Sequence, residues 1–183
     1  MKLITTPLEG LFVASPSVRS DSRGVFFRAF CESEFATVLG CRRIKQANIS
    51  VTKDVGAVRG MHYQRPPNSE MKIVQCVAGS VFDVAVDLRR GSKTFLQWYG
   101  LELSPKNPQI LLIPEGFAHG FQVLEKESML LYFHTANYSP GLEAAVRFDD
   151  PAIGIKWPLA VSTISVRDAA HSLIDSTFEG VDA

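Results

Sequence analysis

Two segments of this chain carry side chains that can bind an anion or move a proton. The first runs from Arg59 to Gln64 and includes His62, Lys72 follows eight residues after Gln64, and the second segment ends at His119. Imidazole titrates near neutral pH, so His62 can take a proton from a weakly acidic carbon once the developing anion is stabilised. Arg59 and Lys72 can supply that stabilisation, because fixed positive charge is most effective in a dry pocket. These residue types predict proton-transfer chemistry.

The spacing of the same segments resembles the two halves of a cupin motif. In a metal cupin the first half supplies two histidines and a glutamate, and the second half supplies a third histidine. Here Gln64 replaces the second histidine and Lys72 stands at the position of the acidic ligand, while Gly56 and Gly79 keep the spacing of the frame. An ammonium group repels a divalent cation, and zinc or iron sites need imidazole, thiolate or carboxylate donors. The altered frame therefore favours acid and base chemistry with no metal.

Short apolar runs punctuated by proline and glycine predict one mainly β domain over residues 1–183. Strands are predicted over residues 71–77, 80–88, 95–103, 109–113, 120–124 and 128–134. Two short helices are predicted over residues 32–39 and 165–173, the first ended by Gly40. The pattern is typical of a cupin-type double-stranded β-helix, a jelly roll whose barrel would hold the ligand.

Composition excludes several partners and compartments. Nineteen basic side chains balance nineteen acidic ones, which gives no reason to expect nucleic acid or an anionic membrane as partner. The three cysteines form no C-x-x-C pair, so free thiols are expected. The N-terminus lacks the long apolar stretch of a signal peptide and no later run approaches membrane-spanning length, so we expect a cytoplasmic protein.

Three further residues allow both a chemical and a purely structural interpretation. His119 follows a tight turn that can direct the imidazole into the barrel, or it is a turn residue without a role. Tyr132 can donate a proton from the opposite side of a substrate, or its ring only packs. Asp168 can orient His62, or it completes a capping box that begins at Ser165. His62 itself can be a satisfied core histidine.

The segment from Asp21 to Arg28 combines turn residues, arginines and aromatic rings. Such a set suits a phosphate with a stacked base. The alternative is a hairpin turn followed by an edge strand. Since the sequence contains no phosphate-cradling glycine loop, a nucleotide would have to be held by side chains.

Ordered motifs extend along nearly the whole chain. They are Asp21-Ser22-Arg23-Gly24, Arg59-Gly60-Met61-His62-Tyr63-Gln64, Lys72, residues 79–89, residues 113–121, Asp150 with Ile155-Lys156-Trp157-Pro158, and residues 165–168. Together these motifs resemble the dTDP-4-dehydrorhamnose 3,5-epimerases, cupin-fold isomerases of deoxysugar biosynthesis.

The resemblance implies a mechanism for inverting C3, C5 or both in a nucleoside-diphosphate 4-keto-6-deoxyhexose. His62 would be the base, oriented by Asp168. Lys72 and Arg59 would hold the C4 oxygen, and Tyr132 would be the acid on the opposite ring face. Removing a proton next to the ketone gives an enolate, and returning it from the other side inverts the carbon. No redox cofactor is needed for this reaction.

The resemblance also implies a homodimer in which the N-terminal segment reaches the neighbouring site, and a role in lipopolysaccharide or O-antigen sugar synthesis. Arg23 and Phe26 would contact the nucleotide. The substrate-binding residues expected on this basis are Arg23, Phe26, Arg28, Gln46, Asn48, Arg59, His119 and Tyr138.

Departures from the family pattern lie at the nucleotide end. Arg28 stands where the family usually has a glutamate that contacts the thymine. Ile49 replaces the histidine of an Asp-Asn-His-Ser stretch, and Phe133 replaces the lysine that follows the acid tyrosine. A single-centre 3- or 5-epimerase acting on another nucleotide sugar, such as a CDP-linked one, is therefore an alternative. Two further alternatives are a metal-dependent cupin and a non-catalytic sugar-nucleotide binding protein.

Overall fold

Residues 1–182, which the computed structural model describes, form thirteen β-strands and two short α-helices. The strands are β1 (Lys2–Thr5), β2 (Phe12–Ser15), β3 (Arg19–Asp21), β4 (Gly24–Phe26), β5 (Gln46–Thr52), β6 (Val58–Gln64), β7 (Lys72–Ala78), β8 (Val81–Asp87), β9 (Trp98–Leu103), β10 (Ile110–Ile113), β11 (Phe117–Val123), β12 (Ser128–His134) and β13 (Glu143–Ala145). The helices are α1 (Ala36–Leu39) and α2 (Val166–Ala169), and Pro140–Leu142 forms a 3₁₀ turn.

The strands form two facing antiparallel sheets and a separate hairpin. One sheet has six strands in the order β1-β2-β10-β7-β12-β5, and the other has five in the order β13-β6-β11-β8-β9. Strands β3 and β4 pair only with each other. The predicted mainly β, cupin-type jelly roll with a few short helices is confirmed.

Alternation along the strands separates an inner and an outer face of each sheet. The inner faces share one apolar cluster, in which Val74 and Leu111 of the six-stranded sheet meet Phe121 of the other. Each fully buried side chain of this kind contributes about 1.5–3 kcal/mol through burial. This cluster fills only part of the interior, and the rest of the space between the sheets is lined by polar groups.

The outer faces are covered by different parts of the chain. Helix α1 brings Leu39 onto the six-stranded sheet, where it joins the cluster around Ile73 and Leu112. The C-terminal segment covers the five-stranded sheet with Trp157 and Phe178. These layers hold the two sheets in place on either side of the polar space.

All six predicted strands occur, with shifted ends. The strand predicted from residue 120 begins at Phe117, and the one predicted from residue 95 begins at Trp98, because residues 94–97 form a hydrogen-bonded turn. The predicted helices are shorter, spanning Ala36–Leu39 and Val166–Ala169. Helix α1 begins only after Phe35, whose φ of −98° and ψ of 3° lie outside helical geometry.

Candidate active site

A cavity of about 330 Å³ opens between the two sheets beyond the apolar cluster. Both sheets and the segments beside them line it, and the predicted site residues in its wall are Asn48, Arg59, His62, Lys72, His119, Tyr132 and Tyr138. Seven of the expected residues are thus brought to one pocket. A concave site with a few convergent polar groups is the usual form of a small-molecule site.

Strand alternation directs His62 into this pocket. Its neighbours Met61 and Tyr63 pack into the outer cluster of the five-stranded sheet, so the imidazole between them faces inward. His62 is also the cross-strand partner of His119. Paired residues of antiparallel strands share a face of the sheet. Both imidazoles therefore belong to the pocket.

The close approach of β6 and β11 at this point requires glycine. Gly60 has a φ of +124°, and a Cβ there would lie 2.6 Å from the Cα of Gly120. A side chain at either position would push the two strands apart. The glycine pair thus brings the strands that carry His62 and His119 together.

His62 is held by Asp168 of α2. The Nε2 atom of His62 lies 2.7 Å from Oδ1 of Asp168, and the aspartate is buried. Burial raises the pKa of the Asp168 carboxyl, but the hydrogen bond and charge of His62, with the bonds from Ser165 and Gly60, outweigh burial and lower the pKa below its usual value. An ionised Asp168 accepts a hydrogen bond from Nε2–H of His62, which leaves Nδ1 of His62 without a proton and free to act as a base.

Asp168 combines the two interpretations that the sequence left open. The Oγ of Ser165 accepts a hydrogen bond of 3.0 Å from the backbone N–H of Asp168, so Ser165 caps the helix. The Asp168 carboxylate points away from the cap and contacts His62. The cap therefore helps to fix the carboxylate in place.

Tyr132 approaches from the opposite sheet. Its neighbour Phe133 packs on the outer cluster, so the phenol ring faces inward, with its centroid 5.7 Å from that of His119. Burial, followed by the charge of Asp83, raises the pKa of Tyr132 well above its usual range. The raised pKa keeps the phenol in the protonated form that an acid needs, and it also makes this phenol a weaker acid than a free tyrosine.

Asp83 is the buried partner of His119 and was not among the predicted site residues. Its Oδ1 lies 2.7 Å from Nε2 of His119, and the carboxylate is fully buried. Burial raises the pKa of Asp83, although the charge and hydrogen bond of His119 oppose that effect. This pair forms a second histidine–carboxylate contact in the pocket, beside Tyr132.

Lys72 places its ammonium group on the same wall as Tyr132. Its Nζ lies 2.9 Å from Oε1 of Glu70 and 3.3 Å from the backbone oxygen of His62. Arg59 adds a second cation to the pocket and donates from Nε to Oγ1 of Thr52 at 2.9 Å. The pocket thus holds two fixed positive charges near the candidate base.

Comparison with known proteins identifies the family. The family model for dTDP-4-dehydrorhamnose 3,5-epimerase matches residues 5–176. The chain belongs to the dTDP-4-dehydrorhamnose 3,5-epimerase family. It is 42% identical over 178 residues to the dTDP-4-dehydrorhamnose 3,5-epimerase of Salmonella typhimurium, and the match covers 96% of each chain. The chain is accordingly an epimerase, an enzyme of the isomerase class, as predicted.

Two further relatives show the range of the epimerase family. The structure matches the crystal structure of a dTDP-6-deoxy-D-glucose-3,5-epimerase from Legionella pneumophila in complex with dTDP-4-keto-L-rhamnose, with a TM-score of 0.91, 38% identity, and coverage of 100% of this chain and 98% of that one. The sequence is also 38% identical over 169 residues to the dTDP-4-dehydrorhamnose 3-epimerase of Streptomyces niveus, covering 92% of this chain and 81% of the relative.

The N-terminal hairpin of this epimerase-family chain lies outside the lining of its own pocket. Arg23 has a side chain 88% exposed and pairs with Asp21 at 2.6 Å, and Phe26 is 73% exposed. Arg28 forms an ion pair with Glu34. The structure therefore does not bring these three expected nucleotide contacts to the pocket of the same chain.

Other polar residues border the pocket without having been predicted. At the mouth, Glu143 accepts hydrogen bonds from the Tyr138 hydroxyl at 3.1 Å and from Arg167 at 2.9 Å. Gln46, one of the expected substrate-binding residues, is not in the lining of the pocket; its side-chain oxygen accepts from the backbone N–H of Tyr138 at 2.9 Å. Glu143 follows a 3₁₀ turn and belongs to a short strand, so no periodic pattern in the sequence indicates it.

Residues 1–182 contain neither a metal-binding cluster nor a membrane-spanning helix. That part of the chain contains no group of three or more His, Cys, Asp or Glu side chains arranged to hold a metal ion. None of the helices in the described residues is long and apolar enough to cross a membrane.

Proposed function

We propose that this protein is a dTDP-4-dehydrorhamnose 3,5-epimerase, which inverts C3 and C5 of a dTDP-linked 4-keto-6-deoxyhexose by proton transfer through an enolate. The observation that carries the proposal is the placement of the base and the acid. His62 comes from the five-stranded sheet and Tyr132 from the six-stranded sheet, and both line one pocket. Inversion requires a proton to leave one face of the sugar ring and another to arrive on the opposite face.

In the first step, Nδ1 of His62 takes the proton from the carbon next to the ketone. The electron pair of the broken C–H bond moves into the ring, and negative charge develops on the C4 oxygen. Lys72 and Arg59 stabilise that charge with fixed cations in a partly desolvated pocket. Asp168 stabilises the imidazolium that forms, because its carboxylate is already hydrogen-bonded to Nε2.

In the second step, Tyr132 returns a proton to the same carbon from the other face. The electron pair of the enolate forms the new C–H bond, and the ketone is restored. Solvent then reprotonates the phenolate of Tyr132 and takes the proton from the imidazolium of His62, which restores both groups before the next carbon reacts. Because both C3 and C5 are adjacent to the 4-keto group, one set of residues can act at each carbon in turn. No redox cofactor takes part.

The substrate assignment rests on the relatives and on the cationic pocket. The Legionella relative is described in complex with dTDP-4-keto-L-rhamnose, and the Salmonella relative carries the 3,5-epimerase name. Asn48 and Tyr138 are exposed residues of the cavity wall, whereas His119 in the same wall is buried. We assign these three residues, with Gln46 behind Tyr138, to binding the nucleotide sugar.

Solvent exchange with different nucleotide sugars tests this function. The wild-type protein in D₂O is expected to incorporate deuterium at C3 and C5 of a dTDP-linked 4-keto-6-deoxyglucose, measured by NMR. CDP-, UDP- and GDP-linked analogues are expected to react at least about tenfold more slowly. A site that pairs with one nucleobase leaves its polar groups unpaired when a different nucleobase is bound. A faster reaction with the CDP-linked sugar would assign cytosine as the nucleobase of the substrate. Arg28 is the candidate contact for that nucleobase.

A second candidate function is inversion at C3 alone. It is favoured by the similarity to the Streptomyces niveus protein, whose name specifies a 3-epimerase. Deuterium at C3 with none at C5 after complete turnover would select this function. Exchange that disappears after chelation and returns with a divalent metal would instead select a metal-dependent cupin.

The exposed hairpin supports a homodimer in which each β3–β4 hairpin reaches the pocket of the other subunit. Val25 is 63% exposed and Phe26 is 73% exposed, and both lie on a ribbon that joins neither sheet. Apolar side chains on a projecting ribbon are typical of a surface that a partner covers. Arg23 would then add a cation for the diphosphate of the neighbouring site.

Subunit complementation tests the shared site. His62→Ala and the double variant Arg23→Ala/Phe26→Ala are each expected to be strongly impaired alone. Coexpression with two affinity tags is expected to give about a quarter of wild-type activity in the unfractionated mixture, because half of the dimers are mixed and each has one complete site. Full activity of the hairpin variant alone, or an inactive purified mixed dimer, would contradict the shared site.

A further inference from the structure

Four side chains form a continuous polar row along one wall of the pocket. Lys72 contacts Glu70 at 2.9 Å, and the other oxygen of Glu70 lies 2.8 Å from Nδ1 of His134. Nε2 of His134 in turn lies 3.3 Å from Nδ2 of Asn48. The row thus joins a predicted catalytic cation to a predicted substrate contact through two residues that have no role in the mechanism above.

The strand register explains why these side chains meet. Lys72 and His134 are direct partners in the pairing of β7 with β12, so they share the inner face. Asn48 is paired with Tyr132, which makes His134 its diagonal neighbour across β12 and β5. Glu70 lies just before β7 and inserts its carboxylate between the two partners.

Glu70 limits the directions in which Lys72 can donate. An ammonium group has three N–H donors. The Glu70 carboxylate and the backbone oxygen of His62 can occupy two of them, at 2.9 and 3.3 Å. The third donor is then available to the substrate. Since the Glu70 and Lys72 side chains are only 8% and 10% exposed, water competes little for these contacts.

The charge of Glu70 persists despite its burial. Burial, the largest influence, raises the pKa of the carboxyl, but the hydrogen bond from His134 and the charge of Lys72 together lower the pKa below its usual value. A carboxylate accepts hydrogen bonds from both neighbours. Glu70 can therefore fix Lys72 and His134 at the same time.

The partners of His134 determine its tautomer. Nδ1 must carry the proton, because it faces the Glu70 carboxylate. A neutral ring then presents an unprotonated Nε2, which accepts from the amide nitrogen of Asn48. This contact fixes which end of the Asn48 amide faces His134, and it leaves the amide oxygen for a ligand.

We propose that Glu70 and His134 are positioning residues of the epimerase, which orient Lys72 for the developing C4 oxyanion and Asn48 for the nucleotide sugar. This inference rests on the proposed function. Glu70 acts through Lys72 and therefore affects turnover, whereas the outer nitrogen of His134 acts through Asn48 and therefore affects binding.

Glu70→Gln tests the contact to Lys72. We expect kcat to fall about tenfold to a hundredfold, because a small misplacement of a group at the reacting centre has an effect of that size. Glu125→Gln is the matched control, since Glu125 also pairs with a lysine, Lys106, at 3.0 Å, but on the surface. We expect the control to keep wild-type kcat and KM.

The decisive measurement is whether the loss of activity in Glu70→Gln depends on the presence of Lys72. In a Lys72→Met background, Glu70→Gln is expected to lower the residual deuterium exchange less than about twofold, since coupled residues are non-additive. A general structural defect would instead cause the same loss in both backgrounds. Equal losses, or unchanged kcat in Glu70→Gln alone, would overturn the role of Glu70.

Variants of His134 keep the inference testable if Glu70→Gln folds poorly. His134→Asn retains a donor near the Nδ1 position and removes the group that faces Asn48, so we expect KM to rise about fivefold with kcat within about twofold of wild type. His134→Phe removes both contacts and is expected to change both constants. A fall in kcat for His134→Asn with unchanged KM would overturn the assignment.

Ring ¹⁵N NMR of His134 separates this inference from the proposed function. Wild-type protein is expected to show the Nδ1-protonated neutral form, and Glu70→Gln is expected to shift the population towards the Nε2-protonated form. Absence of solvent exchange in the wild type would refute the epimerase function. An Nε2-protonated His134 in the wild type would refute the positioning row whatever the activity.

Discussion

His62→Ala is expected to abolish deuterium incorporation at both C3 and C5 and to lower kcat roughly 10²- to 10⁴-fold, the contribution of a positioned acid or base. The structure gives the reason. Nε2 of His62 is engaged by Asp168 at 2.7 Å, so Nδ1 is the basic atom directed at the substrate space. With alanine in its place, Lys72 and Arg59 still attract the anionic substrate, and KM is expected to change little. NMR of the substrate in D₂O measures exchange at each carbon.

His171→Ala is the matched control for this variant. His171 lies outside the residues that line the pocket, and its replacement is expected to leave exchange unchanged. Asp168→Asn is expected to give a smaller loss than His62→Ala, because the ring remains while the carboxylate that stabilises the imidazolium is removed. Persistent exchange in His62→Ala at the wild-type rate would assign the base to another residue, with His119 as the next candidate.

The spacing of the site motifs predicted which residues line the pocket better than it predicted the contacts among those residues. His62 and Lys72 lie within one stretch of the sequence, so the frame around them can be recognised without the fold. Glu70 and His134 are far apart in sequence and meet only because β7 pairs with β12 in one register. A sequence pattern shows which face a strand residue occupies, but not which residue of another strand lies beside it.

The fold was predicted where strands are long and apolar. Strand β8 was predicted over residues 80–88, and its even positions pack outward while Asp83 faces inward to His119. Strand β5 has polar and exposed residues along most of its length, so no hydrophobic period indicates it. It forms through pairing with β12 at a sheet edge. Tertiary pairing rather than local preference determines such a strand.

The second large expected effect separates exchange from inversion. Tyr132→Phe is expected to lower the rate of inversion roughly 10²- to 10⁴-fold, because the proton donor on the second ring face is lost. Deuterium exchange is expected to continue with retained configuration, since His62 can return a deuteron from the face it deprotonates. The ring itself remains beside His119 and His134, at centroid distances of 5.7 and 5.8 Å, so the pocket wall is preserved.

Stereochemistry is therefore the property that identifies Tyr132 as the acid. NMR coupling constants report configuration at C3 and C5, and the deuterium content of the same carbons reports exchange. Tyr99→Phe is the control, because it removes a phenol hydroxyl from a ring that packs against the apolar cluster. Normal inversion in Tyr132→Phe would exclude this hydroxyl as the donor. Loss of exchange together with inversion would show instead that Tyr132 is needed to form the enolate, and the acid would have to be sought elsewhere on the six-stranded sheet.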